Sequence, residues 1–338
     1  MDNLRWLKPS LLVLMFVTCL LSISVGPLSI GLKSTVSGLL NWLTNMDFGT
    51  VAPYEQAVIN NVRLPRTFLA LGIGAILAIC GAVMQGLFRN PLADPGIVGV
   101  STGAALGAAI CIVLLPSLGE GFIAFSAFIG GLVTTLIVYR LATSQNGTSV
   151  VLLLLAGIAI AALFGAGIGI LTYVADDNAL RDLSLWQMGS IAGASWFYVG
   201  LVTIALAVVV YFFQKDSMAL NALLLGESEA RHLGINVERL KLRSIVLCSL
   251  GVGIGVAASG IIGFVGLVVP HIVRMLIGPD HRQLLPMSAL LGAGILGMAD
   301  IGARALMPPA EVPVGLITAL LGAPFFIYLL LTQRHRLM

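Results

Sequence analysis

Nine stretches free of Asp, Glu, Lys and Arg run through this sequence: residues 9 to 32, 67 to 88, 95 to 119, 121 to 139, 141 to 175, 183 to 214, 244 to 273, 283 to 299 and 312 to 333. Inside a bilayer every backbone N–H and C=O must be satisfied within the protein, and an α-helix needs about 20 apolar residues to cross about 30 Å of hydrocarbon. Most of the stretches are near that length. Of the 338 residues 58% are hydrophobic and 10% are charged, too few charges to cover a globular surface. The chain reads as an all-α polytopic membrane protein. No Ser- or Pro-rich linker or low-complexity tract divides it, so residues 1–338 are taken as one domain.

The stretch from 244 to 273 holds Ser259, Gly260, Gly263, Gly266 and Pro270. It is expected to be one helix ending near Gly260 and a second, short helix, interrupted at Pro270, reaching about Ile277. The count becomes ten spans, which the positive-inside rule supports. With the N-terminus inside, 13 Lys and Arg fall on the cytoplasmic side (Arg5, Lys8, Arg89, Arg140, Lys215, Arg231, Arg239, Lys241, Arg243, Arg274, Arg282, Arg334, Arg336). Five fall outside: Lys33, Arg63, Arg66, Arg181 and Arg304. Nine spans would give 10 against 8 and put Arg334 and Arg336 on the outer side. Arg5 and Lys8 precede the first apolar run as in a signal peptide, but no small-x-small cleavage site follows, so that run is expected to stay as the first span. Both termini are expected in the cytoplasm.

A charged island interrupts this pattern at residues 214 to 243, QKDSMALNALLLGESEARHLGINVERLKLR. It is read as two short helices, Ser217 to Leu225 and Glu227 to Leu233, closed by Gly226 and Gly234. Leu220, Leu223 and Leu224 form an i, i+3, i+4 stripe on the first, while Glu227 and Glu229 open the second and Arg231 and His232 close it, as the macrodipole prefers. The island is either a handle for another protein or a solvated loop.

Cys19, Cys80, Cys111 and Cys248 each stand alone in an apolar stretch, without C-x-x-C or metal-ligand spacing, and read as packing. The clusters Gly72/Gly74, Gly165/Gly167/Gly169 and Gly251/Gly253/Gly255 suit close helix packing or a path for a bulky solute. Trp42, Trp186 and Trp196 fall near span boundaries, where indole rings anchor at the interface. The stretch from Arg66 and the stretch from Arg243 share an order of arginine, Gly/Ala-rich helix, small-residue break and Pro/Asp turn. On opposite sides of the membrane, they would be inverted repeats, unless the likeness is chance.

No G-x-x-x-x-G-K-[ST], H-E-x-x-H or G-x-S-x-G occurs, so nucleotide hydrolysis and hydrolase chemistry are not expected of this chain. Only Asp300, His271 and Arg274 approach mid-membrane positions, a poor set for an ion-coupled carrier. His232, His271, His281 and His335 all read as lying at or near the inner face, and no metal site is expected. The net charge of +3 comes from cytoplasmic flanks and implies no nucleic acid. A large apolar bundle with an inner handle and no engine of its own suits a permease driven by a separate ATPase. A secondary transporter and a non-transporting scaffold are the rival classes.

Three segments resemble the FecCD family of ABC importer permeases: RLPRTFLALGIGAILAICGAVMQGLFRNPLADPGIVGVSTGAALGA from Arg63, GLVVPHIVRMLIGPDHRQLLP from Gly266, and EVPVGLITALLGAPFFIYLL from Glu311. The resemblance implies a type II ABC importer permease fold with ten transmembrane helices, in the bacterial inner membrane, moving haem, iron-siderophores or cobalamin. It implies a homodimer, two cytoplasmic ABC ATPase subunits that carry ATP and Mg, and a periplasmic binding protein. Gly226, Glu227, Ala230, Leu233 and Gly234 match the family's ATPase-coupling motif. Arg63, Arg66 and Arg304 match arginines that meet glutamates of the binding protein, and Thr148 and Ser149 match the cytoplasmic gate. The segment around Arg89 resembles haem permeases more than siderophore permeases, and cobalamin permeases usually carry an acidic residue at Arg89.

Overall fold

The computed structural model describes residues 2–26, 28, 30–44, 49, 51–144 and 147–337. The side chains of Arg5, Arg334, His335 and Arg336, assigned above to the inner side, lie outside the described residues. In chain order the helices are α1 (Asp2–Ser24), α2 (Leu32–Thr44), α3 (Pro53–Val58), α4 (Leu64–Leu87), α5 (Val100–Leu114), α6 (Glu120–Ala142), α7 (Val150–Val174), α8 (Asp177–Met188), α9 (Trp196–Leu225), α10 (Glu227–His232), α11 (Val237–Ser259), α12 (Val265–Ile277), α13 (His281–Ala305) and α14 (Val314–Leu337). Two strands, β1 (Thr143–Ser144) and β2 (Gly147–Thr148), form an antiparallel hairpin with Thr143 opposite Thr148. Seven helices are long and apolar enough to cross a membrane: α1, α3 continued into α4, α6, α7, α9, α11 and α13. Val100–Leu114, Val265–Ile277 and Val314–Tyr328 are shorter apolar helices.

α4 is the axis of the bundle, packed on α9, α11, α12 and α13 and buried along almost its whole length. Its entry is shaped by Pro65, whose missing N–H and bulky ring cannot continue a normal turn. The preceding Ile59–Arg63 segment widens to a π-turn, in which the Leu64 N–H reaches back to the Ile59 carbonyl. Two glycines then let α4 touch its neighbours backbone to backbone. A Cβ at Gly74 would overlap the Gly292 carbonyl of α13, and one at Gly81 would overlap the Gly266 carbonyl of α12. Lipid tails are as apolar as leucine, so no hydrophobic force drives helix onto helix, and close contact of this kind supplies the attraction.

α11 ends at Ser259 with Gly260 in a positive-φ conformation (φ 67°), and a short irregular link leads into α12. The expected interruption at Pro270 is absent, and α12 runs continuously through it. The carbonyl that Pro270 leaves without a helical donor is that of Gly266, which faces the backbone of Gly81. The first expected helix of the island is also not separate: α9 continues unbroken from Trp196 to Leu225. No Gly or Pro lies between Leu201 and Leu225 to stop it, and the buried Asp216 is paired with Arg243 of α11. The 183-to-214 stretch breaks instead at Gly189 (φ 70°), after the helix α8, which Asp176 caps through the Ala179 N–H.

One end each of α2, α4 and α9 meet in an aromatic group, Trp42 stacked on Trp196 at 5.8 Å with Phe68 beside both. α7 is the opposite of α4, with Val151, Leu155, Ile158, Leu163 and Ile170 all exposed along an apolar helix. Gly81→Ala is expected to destabilise the chain by about 1 to 3 kcal/mol through overpacking. The check is a lower thermal-unfolding temperature in detergent, while Gly302→Ala, with open space around it, leaves that temperature unchanged or raises it.

Candidate coupling face and outer rim

At the end of the bundle that the charge count assigns to the inner face, α9 stops at Gly226, whose backbone (φ 131°, ψ 156°) lies in a region that side-chain-bearing residues avoid. Glu227 opens α10, and Gly234 (φ 81°) follows its end. The Gly234 N–H returns to the Arg231 carbonyl and the Ile235 N–H to the Ala230 carbonyl, closing the turn. Ala230 is fully buried and seats this short helix, while Leu233 and Leu225 stand exposed beside it. The structure thus gathers Gly226, Glu227, Ala230, Leu233 and Gly234 into one projecting turn. The leucine stripe behind them serves another purpose, since Leu220 and Leu223 are buried in the chain's own core.

The island is bolted to α13 by Asn221. Its amide nitrogen donates to Asp280 Oδ1 at 2.6 Å, and its oxygen accepts the His281 N–H at 2.8 Å. Asp280 caps α13 through the Arg282 N–H and also receives the Arg282 guanidinium. Those Arg282 bonds, with help from Asn221, hold the Asp280 carboxyl at about 2, below its ordinary 3.8.

Thr148 and Ser149, which the resemblance matches to a gate, lie close by. Thr148 is buried in β2, its hydroxyl 3.0 Å from that of Thr143, and Ser149 caps α7 through the Leu152 N–H. The Thr148 N–H donates to Glu238 Oε2 at 2.9 Å, and Lys241 Nζ donates to the Thr148 carbonyl at 2.8 Å. Neither Glu238 nor Lys241 was singled out from the sequence. Their i, i+3 spacing at the head of α11 was the available signal, but a partner 93 residues away is not visible in a pattern. Arg89 is exposed (φ 48°) with its guanidinium beside Gly226, at this same face.

A cavity of about 720 Å³ lies among α7, α8, the 260–264 link and α14, lined by Gly165, Gly169, Thr172, Gln187, Phe264 and Gly315 among others. Gly165 and Gly169 have open space where a side chain would stand, whereas Gly72, Gly74 and Gly251 are packed. Phe264 is brought to this wall by a positive φ of 68°, a conformation that costs a non-glycine residue about 1 to 2 kcal/mol. Nothing in the pattern marked it. Cys80, Cys111 and Cys248 are buried and unlinked, and among the described residues no cluster of three His, Cys, Asp or Glu is placed to hold a metal.

On the side the charge count assigns to the outside, the three arginines are turned away from solvent. Arg63, Arg66 and Arg304 are 3%, 6% and 3% exposed, turned into the chain. Arg63 donates to the carbonyls of Ile23, Ser24 and Leu28, and Arg304 to those of Ser22 and Val25, so both satisfy groups that the end of α1 leaves unpaired. Arg66 grips Asp300 at 2.9 Å and Glu311 at 2.8 Å, and Arg304 reaches Asp300 at 3.1 Å. The physical reason is that carbonyls and a fully buried carboxylate, both starved of water, are stronger partners than the bilayer interface. Glu311, at 28%, is the member of this ion-pair group that reaches solvent.

An apolar helical bundle with a glycine-lined cavity and a short helix projecting from one face is the build of a membrane permease subunit of an ATP-binding-cassette transporter. The chain belongs to the FecCD transport family, whose pattern it matches over residues 13–332. It is 45% identical over 330 residues to the hemin transport system permease protein HmuU of Yersinia pestis, covering 96% of this chain and 95% of that one. It is 41% identical over 330 residues to the vitamin B12 import system permease protein BtuC of Vibrio cholerae, covering 96% and 94%. A solved metal-chelate type ABC transporter in an inward-facing conformation superposes with a TM-score of 0.84 at 34% identity, over 96% of this chain and 98% of that one.

Removing the shared carboxylate should unseat the outer rim. Asp300→Ala leaves Arg66 and Arg304 facing each other in a buried site and is expected to destabilise the fold by about 3 kcal/mol. A lower thermal-unfolding temperature, with Asp300→Asn between the two, is the check. At the inner face the sign for Asp280 follows from its lowered value: its contribution is complete above 3.8 and is lost as pH falls through about 2. Asp280→Asn should therefore flatten the fall in unfolding temperature across that window, measured in acid-tolerant detergent.

Proposed function

We propose that this chain is the permease subunit of an ATP-driven importer that moves haem, or a related iron chelate, from the periplasm to the cytoplasm through the bacterial inner membrane. The single observation that carries the haem assignment is the 45% identity to a hemin permease along nearly the whole length of both chains. Arg89 adds little to it, since it sits at the coupling face rather than at the cavity. Ferric-siderophore and cobalamin transport are the alternatives, cobalamin supported by the relatives named for vitamin B12 import.

The reading takes the seven long and three shorter apolar helices as ten spans with both termini inside. It takes α4 to α7 and α11 to α14 as inverted repeats. In its support, α4 packs on α13 as α11 packs on α6, and α5 packs on α7 as α12 packs on α14. Both short helices, α5 and α12, also follow an irregular link. Two copies would face each other across the exposed side of α7, with the cargo path between them. Two cytoplasmic ATPase subunits, which carry ATP and Mg, would receive α10 at Gly226, Glu227, Ala230, Leu233 and Gly234, and the hairpin ending at Thr148 and Ser149 would close the inner end. A periplasmic binding protein would dock on the rim that Arg63, Arg66 and Arg304 hold in shape.

Proteoliposomes holding the permease, its ATPase and its binding protein test the cargo. Haemin should accumulate only with ATP, while cyanocobalamin and a ferric siderophore stay at background. ATP-driven cobalamin uptake with haemin inert would reverse the cargo. Uptake down an ion gradient by the permease alone would reverse the class.

A further inference from the structure

Lys241 is the buried side chain that touches both α10 and the hairpin. Its side chain is 1% exposed, on α11, and Nζ lies 2.8 Å from Glu227 Oε1 of α10, 2.8 Å from the Thr148 carbonyl of the hairpin and 3.3 Å from Glu238 Oε1. An ammonium has three protons and no acceptor: two are donated to the Thr148 carbonyl and Glu238, and Glu227 balances the charge as an ion pair. Glu238 completes the ring by taking the Thr148 N–H on its other oxygen. The hairpin is thus held at both backbone groups of one residue, which fixes its position rather than merely its distance. Arg231 adds a looser, exposed arm to Glu227 and Glu238 at 3.6 and 3.8 Å.

Burying an ammonium costs several kcal/mol, and apolar residues of similar volume often replace such pairs without loss of stability. Packing alone therefore does not call for lysine at this position. α10 is joined to the chain on either side by Gly226 and Gly234, both at backbone angles open to glycine, so its link to the rest runs through the buried Ala230 and this ion pair. We propose that Lys241 is a positioning residue, a strut that carries displacement of α10 to the gate hairpin. It rests on the reading that α10 meets an ATPase and that the hairpin closes the inner end of the path.

The assembled importer in proteoliposomes tests it, with a nitroxide at Ser144→Cys reporting hairpin distances across the dimer. Lys241→Met is expected to assemble with the ATPase and hydrolyse ATP at the wild-type basal rate. Cargo moved per ATP should fall about fivefold or more, the size of a typical coupling loss, and the ATP-induced change in nitroxide distance should vanish. Lys241→Arg should recover most of both. Glu238→Gln, at a site about a third exposed, should uncouple in the same way and decides the matter if the methionine variant does not fold. Wild-type cargo per ATP and wild-type hairpin movement in Lys241→Met or Glu238→Gln would overturn the strut. An unmodified chain that binds no ATPase would instead remove the reading beneath it, which keeps the two failures apart.

Discussion

Backbone contact between α4 and its neighbours is the constraint on which the rest of this bundle depends. At Gly74 and Gly81 the helix axes come so close that nothing larger than hydrogen fits between them. In a solvent of hydrocarbon, such contact replaces the hydrophobic burial that drives soluble folding. It also answers the problem Pro270 sets, because the carbonyl left without a donor points into the same seam. α12 can therefore be short, start from an irregular link and still keep a fixed place against the axis. The cavity wall at Phe264 inherits its position from that arrangement.

Charge is organised at the two faces of the bundle in different ways. On the outer side the arginines face inward and secure the end of α1 and the start of α14 through backbone carbonyls and two carboxylates. On the inner side one lysine joins a projecting helix to a hairpin through side chains that remain partly wet. The first arrangement is a lock whose buried groups have no alternative partners. The second can exchange partners with water at Glu227 and Glu238, which are about a third exposed, so it is suited to movement.

The apolar stretches, the break at Gly260 and the short helix between Gly226 and Gly234 were legible in the sequence because each is a local pattern: run length, glycine at a helix end, charge order along a short helix. The extent of α9 was not, since Lys215 and Asp216 read as a boundary until Arg243 is seen to neutralise Asp216 from another helix. Pro270 was misread for a similar reason, its cost being met by a glycine almost two hundred residues earlier in the chain. The arginines at 63, 66 and 304 were marked by the family resemblance among five basic residues counted outside, but neither signal gives a side-chain direction, and all three turn into the chain. Lys241 was counted among the inner charges and no further, because its partners come from three separate segments.

The clasp on α1 has a consequence for how the molecule comes to be made. Ser22 and Val25, at the end of α1, are held by Arg304, which is made 282 and 279 residues later. Until α13 has entered the bilayer, that end of α1 is held by Arg63, the Ser22–Thr67 hydroxyl pair and the packing of Ile23 on Ile59 and Leu64, and much of the helix surface is uncovered. The bundle therefore closes in an order set by synthesis, its earliest helix waiting as a nearly independent span for one of its last. A chain cut short before Arg304 would carry every segment up to that point and still lack the stitch that draws its beginning to its end.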